Sequence, residues 1–353
     1  MDRDAAPFVV GIDVGGTFTD VTIQDLRDGG LASFKSPSDR AHAERGVLDV
    51  LAKSELDIRS CRLIVHGTTV ATNALLERRG ARTALVTTAG FRDVIELGRT
   101  TRMVPHTLYD PYFRRPPPFV PRRDRHVIAE RTLADGTVER TPDPEELNAL
   151  GRRLTEDGIE SVAVCLLNSY ANAENERLVV AALSRQLPYV SGSAEVGNEV
   201  REYERFSTCV VNAYLMPLMA RYTDGLVREL RRYGYSGPFH TMASNGGLLT
   251  EELVRQHPVR TVLSGPAGGL SAAAYLMRAR GVSDFITYDM GGTSTDVSLV
   301  QQGAWPVKRE MLLDGIMIRI PQLDIQTVGA GGGSIASIDA AATSRPSPTP
   351  TSC

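Results

Sequence analysis

Two short stretches decide how this chain folds: "GIDVGGTFTDVTI", Gly11 to Ile23, and its near copy "YDMGGTSTDVSLV", Tyr288 to Val300. Setting Asp13 on Asp289, an offset of 276 residues (289 − 13), matches seven of the eleven positions from Asp13 to Ile23. The matches are Asp13/Asp289, Gly15/Gly291, Gly16/Gly292, Thr17/Thr293, Thr19/Thr295, Asp20/Asp296 and Val21/Val297. Val9 to Val14 and Phe18 to Gln24 read as two strands joined by a Gly-Gly-Thr turn, so residues whose numbers sum to 33 oppose each other. Val10, Ile12 and Val14 then face Ile23, Val21 and Thr19 on a mostly apolar side, and Asp13 faces Asp20 on the other. The copy obeys the same rule, pairing Ile286 with Leu299, Tyr288 with Val297, Met290 with Thr295 and Asp289 with Asp296.

Like charges directly across a strand pair repel by about 0.2 to 1 kcal/mol unless something offsets them. A cation would do so. The glycines let backbone N–H groups approach an anion, and Thr17, Thr19, Thr293 and Thr295 add hydroxyl donors. Carboxylates for Mg²⁺ beside an N–H-rich turn for phosphate are what a nucleoside triphosphate needs. One such copy reads more readily as a tight turn with surface aspartates; two copies in two domains reverse that preference and favour a clamp on one triphosphate. Other nucleotide schemes fail: none of the three lysines (Lys35, Lys53, Lys308) follows a glycine, and no Gly-x-Gly-x-x-Gly follows the first strand. A third glycine loop, "VGAGGGSIA" from Val328 to Ala336, suits a base and ribose passing close to backbone, or is a plain flexible loop.

The 353 residues suffice for about two domains. A net charge of −3 without long charge runs offers no electrostatic capture of nucleic acid or membrane. Cys61, Cys165, Cys209 and Cys353 show no paired spacing, and no apolar run approaches the ~20 residues of a membrane helix, so a soluble cytoplasmic protein is expected. Strand runs "FVVGIDV", "TDVTIQD", "LASFKS", "RLIVHG", "RTALVTT" and "SVAVCLL" alternate with helical patterns over 38–56, 70–79, 144–157 and 173–186, an α/β arrangement. Six prolines between Val104 and Pro121 exclude regular structure there. Arg201 to Arg232 is one helical pattern in which Pro217 predicts a kink or a break. Small residues from Ser193 to Asn198 place the domain boundary; "FHTMASNGG" and "RTVLSGPAGG" read as strand-to-loop segments beyond it.

Taken in order, "GIDVGGTFTD", "HGTTVATNALLERRGARTALVTTAGFRDVIELGR", "SGPAGG", "DMGGTSTDV" and "VGAGGGSIA" resemble the A-type subunit of the hydantoinase/oxoprolinase family, from Phe8 to about Asp339. More distantly, the paired hairpins are similar to the sugar kinase, heat-shock chaperone and actin superfamily, whose two ribonuclease-H-like domains close on ATP. The resemblance implies an N-terminal domain over 1–195, a partial hydantoinase A/oxoprolinase domain over 196–339, and a disordered Pro/Ser/Thr-rich tail over 340–353. A second domain incomplete in this way leaves an apolar sheet face uncovered and predicts low stability and weak ATP binding.

The resemblance also implies ATP and Mg²⁺ as cofactors and ring opening of a cyclic amide of the 5-oxoproline or hydantoin type, through phosphorylation of the amide oxygen. A ketone carboxylase subunit and a non-catalytic ATPase fragment are the alternatives. A B-type subunit is the implied partner. By motif, Asp13, Gly15, Gly16, Thr17 and Asp20 hold one side of the phosphates, and Asp289, Gly291, Gly292, Thr293 and Asp296 the other. Asp13 and Asp289 are the metal ligands, Gly265 and Gly268 of "SGPAGG" open a helix toward the cleft, and Gly329, Gly331, Gly332 and Gly333 take the adenosine. His66, at a strand end, polarises a carbonyl, relays a proton or merely caps the strand. Asn73, Arg99 and Arg102 are candidate substrate contacts; His106, His126, His240 and His257 show no metal spacing.

Overall fold

A computed structural model describes residues 6–15, 18–38, 43–99, 111–112, 114, 116–291, 295–328, 330–338 and 344–347, the backbone alone at 43–45, 336–338 and 344–347. The opening motif forms the expected hairpin of β1 (Phe8–Val14) and β2 (Phe18–Asp25), with Val10↔Ile23, Ile12↔Val21 and Asp13↔Asp20 in register. β3 (Leu31–Pro37) extends it antiparallel after a turn in which Gly29 takes a left-handed φ of +77°. Helix α1 (Ala43–Lys53) then carries the chain across to β4 (Cys61–Thr68), parallel to β1. The apolar face of the hairpin is sealed: Val10, Ile12, Val14, Val21 and Ile23 pack with Val47 and Val50 of α1 and with Leu226 and Leu230. Each such side chain removed from water contributes roughly 1.5 to 3 kcal/mol.

After α2 (Val70–Leu76), the chain builds a second sheet from β5 (Thr83–Thr88), β6 (Arg125–Ile128), β7 (Ser161–Cys165) and β8 (Val190–Gly192), all parallel, in the order β8-β7-β5-β6. Every residue of β5 and β7 is buried, as expected of parallel strands covered on both faces. One cover is α3 (Pro144–Glu156) with α4 (Glu174–Leu183), through Leu147, Leu150, Leu154, Val179 and Leu183. The other is α5 (Glu202–Arg232), 31 residues long, which reaches both sheets. Pro217 does not break it. The local cost of a mid-helix proline, about 3 kcal/mol, is outweighed by the burial of Phe206, Leu215, Met219, Leu226 and Leu230 along its length.

The boundary expected at 195/196 does not divide the first sheet. β9 (Phe239–Met242) and β10 (Leu248–Thr250) join it beyond that point, giving the order β10-β9-β4-β1-β2-β3. "FHTMASNGG" thus belongs to the first lobe, because a strand parallel to β4 completes its hydrogen bonds there. "RTVL", by contrast, is not a strand: Pro258–Thr261 form a 3-10 turn, and its Val259 and the following Val262 enter the core of α5.

The second lobe comprises α6 (Ser264–Ala279), β11 (Phe285–Met290), β12 (Thr295–Val300) and β13 (Gln326–Val328), with Asp289↔Asp296 in register. Its small core joins Ala267 and Leu270 of α6 to Val300, Leu323, Phe285 and Trp305. The other face is open: Ile286 is 67% and Tyr288 63% exposed, while Val10 and Ile12, their counterparts in the first hairpin, are 0% and 2% exposed. Within the segment expected as a disordered tail, Ser344–Ser347 pairs antiparallel with Ile335–Ile338. Among the described residues no helix is long and apolar enough to cross a membrane.

Candidate functional site

Strand register lines up one row of residues across the first sheet: Gly67 on β4 beside Asp13 on β1, Asp20 on β2, and Lys35 on β3. Gly67 matters for what it lacks. A Cβ there would lie 3.1 Å from Asp13 Oδ1, so glycine leaves the carboxylate room to lie over β4. Lys35 Nζ sits 3.2 Å from Asp20 Oδ1 and 5.0 Å from the centre of the Phe18 ring. The N–H of Gly15 closes the turn on the Phe18 carbonyl at 3.0 Å; Gly16 and Thr17 lie outside the described residues.

Helix α6 opens beside this row. Leu263 precedes it at a left-handed φ of +59° with no side-chain cap, its N–H held by Thr72 Oγ1 at 2.9 Å, and Ser264 Oγ donates to the Thr68 carbonyl at 3.0 Å. A Cβ on Gly265 would stand 3.8 Å from Asp13 Oδ1, so the unsatisfied amides of the first turn open next to that carboxylate. Gly268 faces Met242 instead, 3.8 Å from its Cε.

In the second lobe the equivalent row runs Asp289, Asp296, Thr327. Thr327 Oγ1 donates to Asp296 Oδ1 at 2.6 Å. The third glycine loop folds onto this hairpin: Gly332 N–H donates to the Gly291 carbonyl at 2.9 Å, Thr295 Oγ1 to the Ala330 carbonyl at 2.5 Å, and Gly331 N–H to Ser334 Oγ at 2.9 Å. Gly333 is exposed beside them; Gly292, Thr293 and Gly329 lie outside the described residues.

The first turns of α6 lie between the two rows: Gly265 stands by Asp13, and Pro266 and Gly269 line one cavity with Asp289 and Asp296, so the space beside them is the candidate crevice. Asp13 has its carboxyl pushed above the usual aspartate range, first by the crowding of protein around it, then by the charges of Asp20 and of Asp289. Asp289 lies 276 residues away in the chain (289 − 13), so only a fold that turns the hairpins toward each other lets the two carboxylates interact. Both Asp13 and Asp289 are exposed to solvent. Among the described residues no three His, Cys, Asp or Glu side chains form a metal cage. Two or three solvent-open carboxylates suit a hard cation that takes its remaining ligands from phosphate and water.

His66 is not part of this crevice. It pairs with Ile12 while its neighbour Gly67 pairs with Asp13, so alternation along the strand turns the imidazole to the opposite face of the sheet. There it is 1% exposed, its ring 5.7 Å from Tyr222 and 5.8 Å from Phe239, with Nε2 2.7 Å from the Tyr222 hydroxyl. Burial lowers its pKa to about 4, leaving it neutral at pH 7. Arg99 pairs with the buried carboxylate of Glu204 on α5, whereas Arg102 and His106 lie outside the described residues. Asn73 stays near the crevice edge, donating to Thr69 Oγ1 at 3.2 Å. Gly67 and Lys35 carry the site's geometry without standing out in the sequence, since only the strand register puts them beside the aspartates.

Residues 9–187 match the family description "Hydantoinase/oxoprolinase N-terminal region" and residues 205–351 match "Hydantoinase/oxoprolinase", so the second match runs past Asp339, where the family pattern was expected to end. The chain is 34% identical to the caprolactamase subunit alpha of Pseudomonas jessenii over 94% of its own length and 49% of that protein's. The crystal structure of that organism's ATP-dependent caprolactamase superposes at a TM-score of 0.85, covering 96% of this chain and 50% of that one. Nucleotide-free acetone carboxylase superposes at 0.81 with 27% identity, covering 97% and 51%. Identity to 5-oxoprolinase 1 of Arabidopsis thaliana is 35%, over 92% of this chain and 28% of that protein. The chain thus spans about half, or less, of the length of these relatives.

Proposed function

The chain belongs to the hydantoinase/oxoprolinase family, and from that membership we propose that its crevice binds Mg²⁺-ATP for the ring opening of a cyclic amide. The carrying observation is the interaction of Asp13 with Asp289 across the crevice, beside the uncapped start of α6. Asp13 and Asp289 would hold Mg²⁺, which supplies positive charge where phosphate charge develops. The α6 amides and the Gly15 and Gly291 turns would take phosphate oxygens, and the Gly331–Ser334 loop the adenosine side. The order β3-β2-β1-β4-β9, three antiparallel strands followed by two parallel ones, supports reading the first lobe as ribonuclease-H-like, with β11–β13 as a partial second copy.

An amide carbon is a poor electrophile because its nitrogen feeds electrons into the carbonyl. Transfer of the terminal phosphoryl group of ATP to the amide oxygen, with ADP departing and the N–H proton released, gives an imidate whose carbon carries a phosphate ester and is open to attack. Water then adds to the ring carbon, and the ring nitrogen leaves with a proton. The resulting acyl phosphate is cleaved by a second water to carboxylate and inorganic phosphate. The ATP dependence named for caprolactamase supports this reading. The likeness to acetone carboxylase supports a second, in which the phosphoryl group goes to a ketone-derived enolate before carboxylation. Because several relatives are named as subunits, the working enzyme includes a partner polypeptide, for which a B-type subunit is the candidate.

Phosphate release from ATP tests this directly, with 5-oxoproline, a hydantoin or caprolactam added singly. Stimulation by one of the lactams is expected. Stimulation by a ketone only in the presence of bicarbonate moves the assignment to the carboxylase reading, and absence of nucleotide binding by calorimetry removes both.

A further inference from the structure

The two aspartate rows differ at one place. In the first lobe the row ends in a cation, with Lys35 Nζ 3.2 Å from Asp20; in the second it ends in a neutral hydroxyl, Thr327 on Asp296. Asp13, Asp20, Asp289 and Asp296 are otherwise matched by the repeat, so Lys35 alone breaks the charge symmetry of the rows. Its ammonium is held from two sides, by the Asp20 carboxylate and the face of Phe18, while the side chain keeps 58% of its surface open.

We propose that Lys35 is a positioning residue that neutralises Asp20 and so confines the divalent cation to Asp13 and Asp289. With Asp20 paired, Asp13 is the one uncompensated carboxylate that the first hairpin offers, and a cation approaching the crevice is drawn toward the second lobe. Without Lys35, Asp13 and Asp20 stand opposite each other as a bare pair able to hold a cation themselves, away from the side where the second hairpin presents phosphate. The proposal rests on the Mg²⁺-ATP reading, and its test separates the two.

Mn²⁺ binding to the full chain, counted by electron paramagnetic resonance without nucleotide, needs neither substrate nor activity. One Mn²⁺ per chain is expected, lost in Asp289→Asn. In Lys35→Met a second Mn²⁺ binds, or the first binds about two- to tenfold more tightly, as removal of one nearby positive charge requires. Lys35→Arg restores the original behaviour. Lys53→Met is the charge-matched control, since Lys53 contacts Ser36 Oγ at 3.1 Å, one residue along β3 and hence on its other face, and it should change nothing. Asp289-dependent binding that is the same with Lys or Met at 35, or that Lys53→Met alters equally, overturns the role of Lys35 and leaves the crevice reading standing. Absence of Asp289-dependent binding overturns both.

Discussion

Asp13→Asn separates the cost of assembling the crevice from its use. In the folded protein the Asp13 carboxyl is raised above its ordinary 3.8 by crowding and by two like charges, so ionising it opposes folding. The direction follows: its contribution to stability is fully present below about pH 4, where the group is protonated folded or unfolded, and is lost as pH rises through the raised folded value. Asparagine keeps the shape and drops the charge. Asp20 stands directly across the strand pair, a like-charge contact worth about 0.2 to 1 kcal/mol at most, and because Asp13 is open to solvent and Asp20 is paired with Lys35, screening keeps the relief toward the low end. The apo variant should therefore be more stable than wild type at pH 7 by a few tenths of a kcal/mol, about 1 kcal/mol at most, and no more stable below pH 4, read by urea unfolding across that range. Mg²⁺-ATP reverses the ranking, because a ligand at 100 times its Kd adds about 2.7 kcal/mol to the protein that binds it. An asparagine variant less stable than wild type at every pH, yet stabilised equally by Mg²⁺-ATP, would refute the reasoning.

Gly67→Ala puts a methyl 3.1 Å from Asp13 Oδ1 and should weaken Mn²⁺ or Mg²⁺-ATP binding severalfold by calorimetry while moving Tm little. His66→Phe removes the ring nitrogen that meets the Tyr222 hydroxyl, which should cost about 0.5 to 1.5 kcal/mol by urea unfolding, with Mg²⁺-ATP affinity changed less than about twofold. A large loss of affinity would return His66 to the site. Ile12→Thr and Tyr288→Thr occupy equivalent positions of the two hairpins. The first should cost several kcal/mol, and the second about 0.5 kcal/mol or less while reducing binding of an apolar dye; equal costs would mean the second face is covered in solution.

The hairpins were legible in the sequence down to their registers, because the alternation of Val10, Ile12 and Val14 against Asp13 fixes which face is buried and a Gly-Gly-Thr turn fixes the centre. What local pattern could not give was partnership between distant strands. Between β8 and β9 lie 46 residues (239 − 193), the 31-residue helix among them, and nothing within "FHTM" states that it will pair with β4 instead of opening a new domain. The readings left open for His66 are decided in the same way: its face follows from pairing Gly67 with Asp13, a register between residues 54 apart in the chain (67 − 13). Lys35 needed two such registers before it could be seen beside Asp20. Pro217 failed as a break signal because the burial that holds α5 together comes from both sheets, which the helix sequence alone does not display.

The fold holds the two hairpins in unequal ways, and this bears on how a ligand closes the crevice. The start of α6 is pinned to the first lobe by Ser264 on the Thr68 carbonyl and by Thr72 on the Leu263 N–H, which fixes the amides of its first turn relative to Asp13. Farther along, the hairpin of Met311–Leu313 and Ile316–Ile318 is strapped to α5, with Ile318 and Ile320 buried in its core, Ser207 Oγ donating to the Met317 carbonyl at 2.6 Å and the Arg319 N–H to Thr208 Oγ1 at 2.8 Å. Between these anchors β11 and β12 rest on only a small core around Leu270 and Val300. Repulsion between Asp13 and Asp289 therefore acts across the one boundary of the crevice with little packing to oppose it. On the Mg²⁺-ATP reading proposed above, a divalent cation held by Asp13 and Asp289 would remove that repulsion, so metal binding and closer approach of the second hairpin would be coupled.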